Sequence, residues 1–287
     1  ARAQELRSLH RSGERPQTLQ GRTLAMYFEK PSLRTHVTFE AGMAQLGGHA
    51  ILLRPDQVGI GTRESPLDVA RNLSRWVDGL MARTFSHELV ELLAENATIP
   101  IINGLTDRLH PCQAMADLQT IAGVMNPQEA KLCYVGDGNN VANSLLLLAA
   151  KVGMRFRIST PGSHRPPDWV MAQSRELAAI SGAEIAWSED PHEAVEGANF
   201  VYTDTWTSMG QEDEAAERLK RFEGFQVNGS MMSKAKPGAI FMHCLPAHRG
   251  EEVSSEVIDG PQSVVFDEAE NRLHAQKAIM ISLMSRK

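Results

Sequence analysis

The chain has 287 residues, of which 42% are hydrophobic and 22% charged, and its formal net charge is −6. The length holds two ordinary α/β domains or one large one, and the composition excludes disorder and fibres. The negative balance argues against a nucleic-acid-binding surface while leaving room for a local basic pocket that takes a small anion.

The chain begins without Met, as a fragment or a processed form would. Its first stretch, "ARAQELRSLHRSGERPQ", lacks the apolar core of a secretory signal. Glu5 and Glu14 interrupt its arginines, and "AQELRSLH" reads as the end of a surface helix. A strand is expected at 23–29. It leads into "FEKPSLRTHVTFE", where Ser32 sits as the N-cap of a helix over 33–46. Leu33, Val37, Ala41 and Ala44 recur there at helical spacing, and Gly47-Gly48 is a stop. The bland reading of this stretch is a capping hydroxyl beside a solvated arginine. The sharper one is a phosphate cradle. Free N–H groups at the helix start favour an anion, Ser32 and Thr35 add hydroxyls, and Arg34 adds a planar fork.

Strands are expected next at 49–53, 79–84 and 99–103, with helices at 65–77 and 86–97. Ser65 and Ser86 are N-caps, and Pro66 suits a first helical position. "RPDQVGIGTRE" reads as a mobile surface loop. Arg83 closes one strand. In "HPCQ", His110 and Gln113 stand at a helix start opened by Pro111, placed to grip a carbonyl or amide group.

The pattern restarts after "VMNPQEA" at 124–130. Strands follow at 132–136, 155–159, 184–188, 200–204 and 239–245, and helices at 140–152, 168–181, 191–197 and 212–222. The last segment, from Asp267 onward, reads as one amphipathic helix. The alternation predicts an α/β fold of two doubly wound parallel-sheet domains with an active-site cleft between them. The expected domains are 1–123 and 124–265, with a helix at 266–287 packing back toward the first. Ligands in such sheets sit beyond strand C-termini, where the polar clusters fall.

"GDGNNVANS" is half of a dinucleotide fingerprint. Val141 occupies its third glycine position, and the strand "RFRIST" ends without an acidic residue for a ribose, which weighs against a nicotinamide cofactor. Asn140 could instead offer its amide to an amino-acid head group. In "YTDTWTSMG", Asp204 either caps a polar turn or meets an α-ammonium, with Ser208 and the Met209 backbone completing the grip. Cys244, in "MHCLPAHRGEE", reads first as a small buried hydrophobe. Zinc is a second thought, since His243, Cys244 and His248 are close in sequence. Neighbours on a strand point to opposite faces, however, and no further Cys/His pair is present, so no metal and no cofactor is expected. Three scattered cysteines (Cys112, Cys133, Cys244) suggest a reducing compartment and a cytoplasmic location. The longest greasy run, 144–150, ends at Lys151 and is too short for a membrane span.

"SLRT", "HPCQ" followed by Asp117, "DGNN", "DTWTSMG" and "HCLPAHRGEE" occur in the order found in the transcarbamylases. The chain resembles that family over roughly residues 22 to 280, most closely its ornithine branch. The resemblance implies transfer of a carbamoyl group from carbamoyl phosphate to the δ-amine of L-ornithine, giving L-citrulline and phosphate in arginine biosynthesis or catabolism. It assigns Ser32, Leu33, Arg34, Thr35, Arg83, His110 and Gln113 to carbamoyl phosphate, with Gln57 arriving from a neighbouring subunit and Arg272 from the last helix. It places Asn140, Asp204, Ser208 and Met209 on ornithine, Cys244 beside the reacting amine, and the Leu245 backbone on the carbamoyl amide. Arg34, His110 and Cys244 become the catalytic group. A homotrimer or an assembly of trimers is implied as well, with no nucleic-acid or membrane partner. Two positions depart from the pattern. Leu33 donates only through its backbone, and His36 stands where an arginine is usual, either weakening the positive field or facing another element.

Overall fold

The computed structural model describes residues 1–207 and 212–285. The chain forms two compact units, one made of Ala1–Gln119 with Glu270–Lys287 and the other of Thr120–Ala269.

The first unit opens with α1 (Arg2–Arg11), β1 (Thr23–Phe28), α2 (Leu33–Gln45) and β2 (His49–Leu53). It continues through a short α3 (Pro55–Val58), α4 (Pro66–Trp76), β3 (Gly79–Arg83), α5 (His87–Asn96), β4 (Ile101–Leu105) and α6 (Pro111–Ala122). The strands pair in parallel in the order β2-β1-β3-β4. A parallel sheet is covered on both faces, and β1 shows why its sequence is continuously apolar. Leu24, Met26 and Phe28 join one core with Phe39, Met43 and Met280, while Ala25 and Tyr27 join another with Val69, Leu80 and Leu93. Ser65 and Ser86 cap α4 and α5 by accepting from Asp68 and Leu89 N–H groups, and Pro66 sits in the first turn of α4.

The second unit runs β5 (Lys131–Val135), α7 (Asn140–Val152), β6 (Arg155–Ser159), α8 (Asp168–Ser181), β7 (Glu184–Ser188), α9 (Pro191–Val195) and β8 (Phe200–Thr203). Then come α10 (Ala215–Arg221), α11 (Gly229–Met232), β9 (Ile240–His243), α12 (Ser255–Ile258) and α13 (Val265–Met284), the last of which ends in the first unit. Its sheet is parallel with the order β7-β6-β5-β8-β9. The greasy run at 144–150 is the middle of α7, whose Leu145, Leu146, Ala149 and Ala150 are buried. Among the described residues no helix is long and apolar enough to cross a membrane.

Three expectations are corrected here. The stripe Leu33, Val37, Ala41, Ala44 is not the core face of α2. Thr35, Phe39, Gly42 and Met43 are buried instead, while Leu33 and Val37 are 74% and 51% exposed. Short side chains at 35 and 42 hid the true inward face from a hydrophobicity count. The loop at 54–64 is also more ordered than expected, because α3 ends at Gly59, whose φ of +64° is a left-handed helix stop. The helix expected at 212–222 begins as a single tight turn, Glu212–Glu214, before α10.

In each unit the chain winds outward one way from its first strand and then crosses back. The strand order therefore reverses between β1 and β3, and again between β5 and β8. Crevices open beyond the strand ends at such points. The loops there are 29–32 and 84–86 in the first unit, and 136–139 and 204–207 in the second.

Candidate active site

The reversal in the first unit gathers donors. Ser32 is extended at φ −163° and accepts the Thr35 N–H at 3.2 Å, fixing where α2 begins. Thr35 is the first inward residue of that helix and is buried. Its hydroxyl oxygen accepts from Arg272 Nη2 at 3.0 Å and from Arg83 Nη1 at 3.4 Å. With both lone pairs engaged, its own proton points a third way. Arg83 and Arg272 are 5% and 2% exposed, so two guanidiniums lie in a place that costs a great deal without an anion or a dipole to meet them. The Arg272 Nε is buried and makes no hydrogen bond. Arg34 is half-buried at the same helix entrance.

His110 precedes Pro111 at the start of α6 and is buried. Burial, and then the charges of Arg272, Arg83 and Arg34, hold its pKa well below the usual value. It is a neutral imidazole, able to donate a hydrogen bond without adding charge. Gln113 accepts from Arg272 Nη1 at 2.5 Å and donates to Asp117 Oδ1 at 2.8 Å. The sequence reading thus finds Ser32, Leu33, Arg34, Thr35, Arg83, His110, Gln113 and Arg272 in one unit, and contacts join Thr35, Arg83, Gln113 and Arg272 directly. Lys30 was missed. It lies 4.4 Å from the Phe85 ring, and burial, with Arg83 next, lowers its pKa. Its proximity to "SLRT" was the available signal.

His36 faces another element. Its ring packs against Phe28, and Nε2 lies 3.1 Å from Glu40 one turn along. Gln57 is in α3, exposed, with its side chain turned to the Arg54 N–H at 3.4 Å.

The reversal in the second unit is built on Asn139 and Asp204. Asn139 Oδ1 accepts the Val141 and Ala142 N–H groups and caps α7, while its amide donates to Asp204 Oδ2 at 2.8 Å. The Cys244 thiol donates to Asp204 Oδ1 at 3.1 Å. Asp204 is therefore a nearly buried carboxylate held from both sides rather than a turn cap. Asn140, the sequence candidate, is the first residue of α7. Ser208 and Met209 lie outside the described residues. On the flank of that segment Arg218 donates to Asp137 and to the Trp206 carbonyl, both at 2.9 Å. Asp137 is pushed up to about 6 by burial, against the pull of Arg218.

Gly138 explains the half-fingerprint. A Cβ there would stand 2.5 Å from the His164 carbonyl oxygen and 2.5 Å from Pro166 N. The close approach that this glycine permits is taken by the chain's own backbone, not left open for a pyrophosphate.

Beyond β9, Leu245 has φ +57°, an uncommon conformation for a branched side chain. Its N–H donates to His243 Nδ1 at 2.8 Å, and His243 Nε2 faces Glu252 at 3.2 Å, both side chains being fully buried. The first bond fixes Nδ1 as acceptor and so Nε2 as the protonated nitrogen. Glu252 also accepts the His248 N–H at 2.6 Å, so the turn carrying Cys244 and Leu245 is tied down along its length. The strand-pleat argument about His243 and Cys244 fails, because β9 ends at His243. Donor atoms of Asp204, His243 and Cys244 come within 4.8 Å of one another, and His248 groups with Glu251 and Glu252 instead. His243, Glu252 and Asn139 are structural members that sequence reasoning missed, since nothing in their spacing shows what they bond.

Comparison with known proteins accounts for both crevices at once. Residues 1–123 match the carbamoyl-P binding domain of aspartate/ornithine carbamoyltransferase, and residues 128–283 match the Asp/Orn binding domain. The chain belongs to the aspartate/ornithine carbamoyltransferase family. It is similar to the ornithine carbamoyltransferase of Anoxybacillus flavithermus, with 54% identity over 98% of this chain and 90% of the relative. It is 50% identical to that of Thermococcus kodakarensis over the same shares. Among solved structures, ornithine carbamoyltransferase from Pyrococcus furiosus matches with a TM-score of 0.96 and 49% identity, covering 99% of this chain and 91% of that one.

Proposed function

We infer that this chain transfers the carbamoyl group of carbamoyl phosphate to the δ-amine of L-ornithine, giving L-citrulline and phosphate. The observation that carries the reading is the convergence of Arg83 and Arg272 on the Thr35 hydroxyl at the entrance of α2. Two buried cations, a helix N-terminus and a cap hydroxyl suit a phosphoryl dianion. His110, kept neutral, and Gln113 attend the uncharged carbamoyl end. Asp204 meets the α-ammonium of ornithine, Asn140 serves its head group, and Ser208 and Met209 complete that site.

In the reaction the δ-nitrogen forms a bond to the carbamoyl carbon and the carbon–oxygen bond to phosphate breaks. The amine must be neutral to attack, although its ordinary pKa is about 10, as for lysine. Cationic surroundings and desolvation favour that form, with Cys244 beside the amine. Arg34 and His110 stabilise the oxyanion of the tetrahedral state. Arg34 and Arg83 stabilise the departing phosphate, whose oxygen accepts the amine proton.

Gln57 acts in a neighbouring subunit's site, and the chain assembles as a trimer. Leu33 and Val37 on α2 and Ile51 and Leu52 on the outermost strand β2 are exposed apolar residues, the last two being 40% and 38% exposed. An open strand edge with apolar residues is a natural place for another copy. Light scattering after gel filtration gives three times the 31.6 kDa chain mass if this holds. Other amine acceptors and a dinucleotide oxidoreductase are the competing readings, and the filled space at Gly138 disfavours the latter. A ureido-product assay with ornithine, N-acetylornithine, putrescine and aspartate in parallel tests the assignment. Product with ornithine alone supports it, and product only with another amine overturns it.

A further inference from the structure

The segment after β9 carries a cluster of metal-ligating groups apart from those assigned to the two substrates. One ligand atom each of His248, Glu251 and Glu252 lies within 4.8 Å of the others. His248 Nδ1 stands 3.8 Å from Glu251 Oε2 and 3.9 Å from Glu252 Oε2, too far for hydrogen bonds. Glu252 is fully buried, and its two oxygens differ. Oε1 accepts from His243 Nε2 at 3.2 Å and from the His248 N–H at 2.6 Å. Oε2, on the side of His248 Nδ1, is buried and makes no hydrogen bond among the described residues. Whether the carboxyl is ionised or protonated, that atom lacks the partner that burial demands. Another cluster, Asp204 with His243 and Cys244, is not comparable. Both His243 ring nitrogens are taken, by the Leu245 N–H and by Glu252, and both Asp204 oxygens accept hydrogen bonds.

We propose that His248, Glu251 and Glu252 bind a divalent transition-metal ion, with Zn²⁺ as the ion their donors suit best. One imidazole with two carboxylates is a donor set for such ions, whereas Mg²⁺ and Ca²⁺ take oxygen ligands. Around a tetrahedral ion with bonds of about 2.0–2.1 Å, neighbouring ligand atoms stand roughly 3.4 Å apart, so the two separations here are wider by roughly half an ångström. The His248 and Glu251 side chains are 49% and 41% exposed and can close that gap, while Glu252 is the fixed member. A ligating carboxylate is commonly held from behind by a hydrogen bond, as His243 holds Glu252. Solvent reaches the cluster past His248, which allows a water as the fourth ligand. An ion on Glu252 Oε2 is joined through Oε1 and His243 to the Leu245 N–H, so it braces the turn that carries Cys244 and Leu245. None of this depends on which substrates the two crevices take.

The test titrates Zn²⁺ and Mg²⁺ separately, by calorimetry, into chelator-treated wild type and the variants His248→Ala, Glu251→Gln and Cys244→Ala. The expected result is a Zn²⁺ site that Cys244→Ala retains and that His248→Ala and Glu251→Gln each weaken at least about tenfold, with Mg²⁺ bound far more weakly. The melting temperature should rise with Zn²⁺ in wild type and not in His248→Ala, because an ion bound only by the folded chain stabilises it. Zn²⁺ binding that survives in His248→Ala and disappears in Cys244→Ala moves the ion to the thiol and overturns the proposal. So does equal binding of Zn²⁺ and Mg²⁺, which would make the cluster a patch of carboxylate charge, and so does wild type that binds no Zn²⁺. If the variants do not fold, anomalous diffraction at the zinc edge from wild-type crystals grown with Zn²⁺ decides the same point. A peak among the three side chains supports the proposal, and peaks only elsewhere overturn it.

Discussion

Arg34 and Asp204 carry opposite duties under the proposed function, and their substitutions separate the two substrates. Arg34→Ala is expected to lower kcat on the order of a hundredfold or more, since it removes a charge aimed at the developing oxyanion. Its melting temperature stays close to that of wild type, because Arg34 is only half-buried at a helix start. Steady-state kinetics with a thermal melt check both halves of that statement, and near-normal turnover would displace Arg34 from the chemistry. Asp204→Asn keeps the shape between Asn139 and Cys244 but loses the charge. It is expected to raise the ornithine KM at least about tenfold and leave the carbamoyl phosphate KM near its wild-type value. An unshifted ornithine saturation curve would misplace the amine site.

At the scale of elements, the turn after β5 is a tightly constrained piece of backbone in the second unit. Gly138→Ala must push aside the 164–166 backbone, which stands 2.5 Å from the new Cβ, with no flexible side chain to give way. A loss of about 2 kcal/mol or more is expected in urea unfolding, since overpacking against backbone finds little relief. A variant as stable as wild type would show that the turn relaxes. Much of this layer was legible beforehand. Both parallel sheets, the caps at Ser32, Ser65 and Ser86 and the placement of polar clusters at strand ends follow from local periodicity and cap chemistry. What could not be read was long-range pairing. The partners of His243 and Arg218, and the meeting of Thr35 with Arg272, depend on tertiary packing that leaves no trace in spacing. The inward face of α2 was misjudged for a related reason. Gly42 is buried there because a Cβ would meet Met280 Cε at 2.8 Å, so α13 approaches α2 across a glycine that a hydrophobicity pattern scores as neutral.

At the scale of the whole molecule, α13 is one of the places where pH acts on stability. His274 is depressed to about 4 by burial, with Lys277 next, from an ordinary 6.5. The unfolded chain therefore binds the proton first on acidification. His274's contribution is complete above about 6.5 and is lost as pH falls to about 4. Glu270 is partly buried, which pushes its pKa up, but hydrogen bonds from Arg7 and Arg11 outweigh this and hold it at about 2. Its contribution is present above about 4.5 and disappears as pH falls toward 2. Two acid phases are expected in denaturation midpoints against pH. His274→Gln should shrink the upper one, to which His110 also contributes, and Glu270→Gln the lower, and unaltered profiles would remove these groups from the account. The span between Thr35 and Arg272, 237 positions apart in the chain, has a consequence for biosynthesis. A ribosome emits residues 120–269, an entire second body, before the guanidinium that completes the first crevice exists. A nascent chain that has not yet reached Arg272 therefore lacks that crevice's full positive charge, so under the proposed function its affinity for a phosphorylated substrate arrives late in translation.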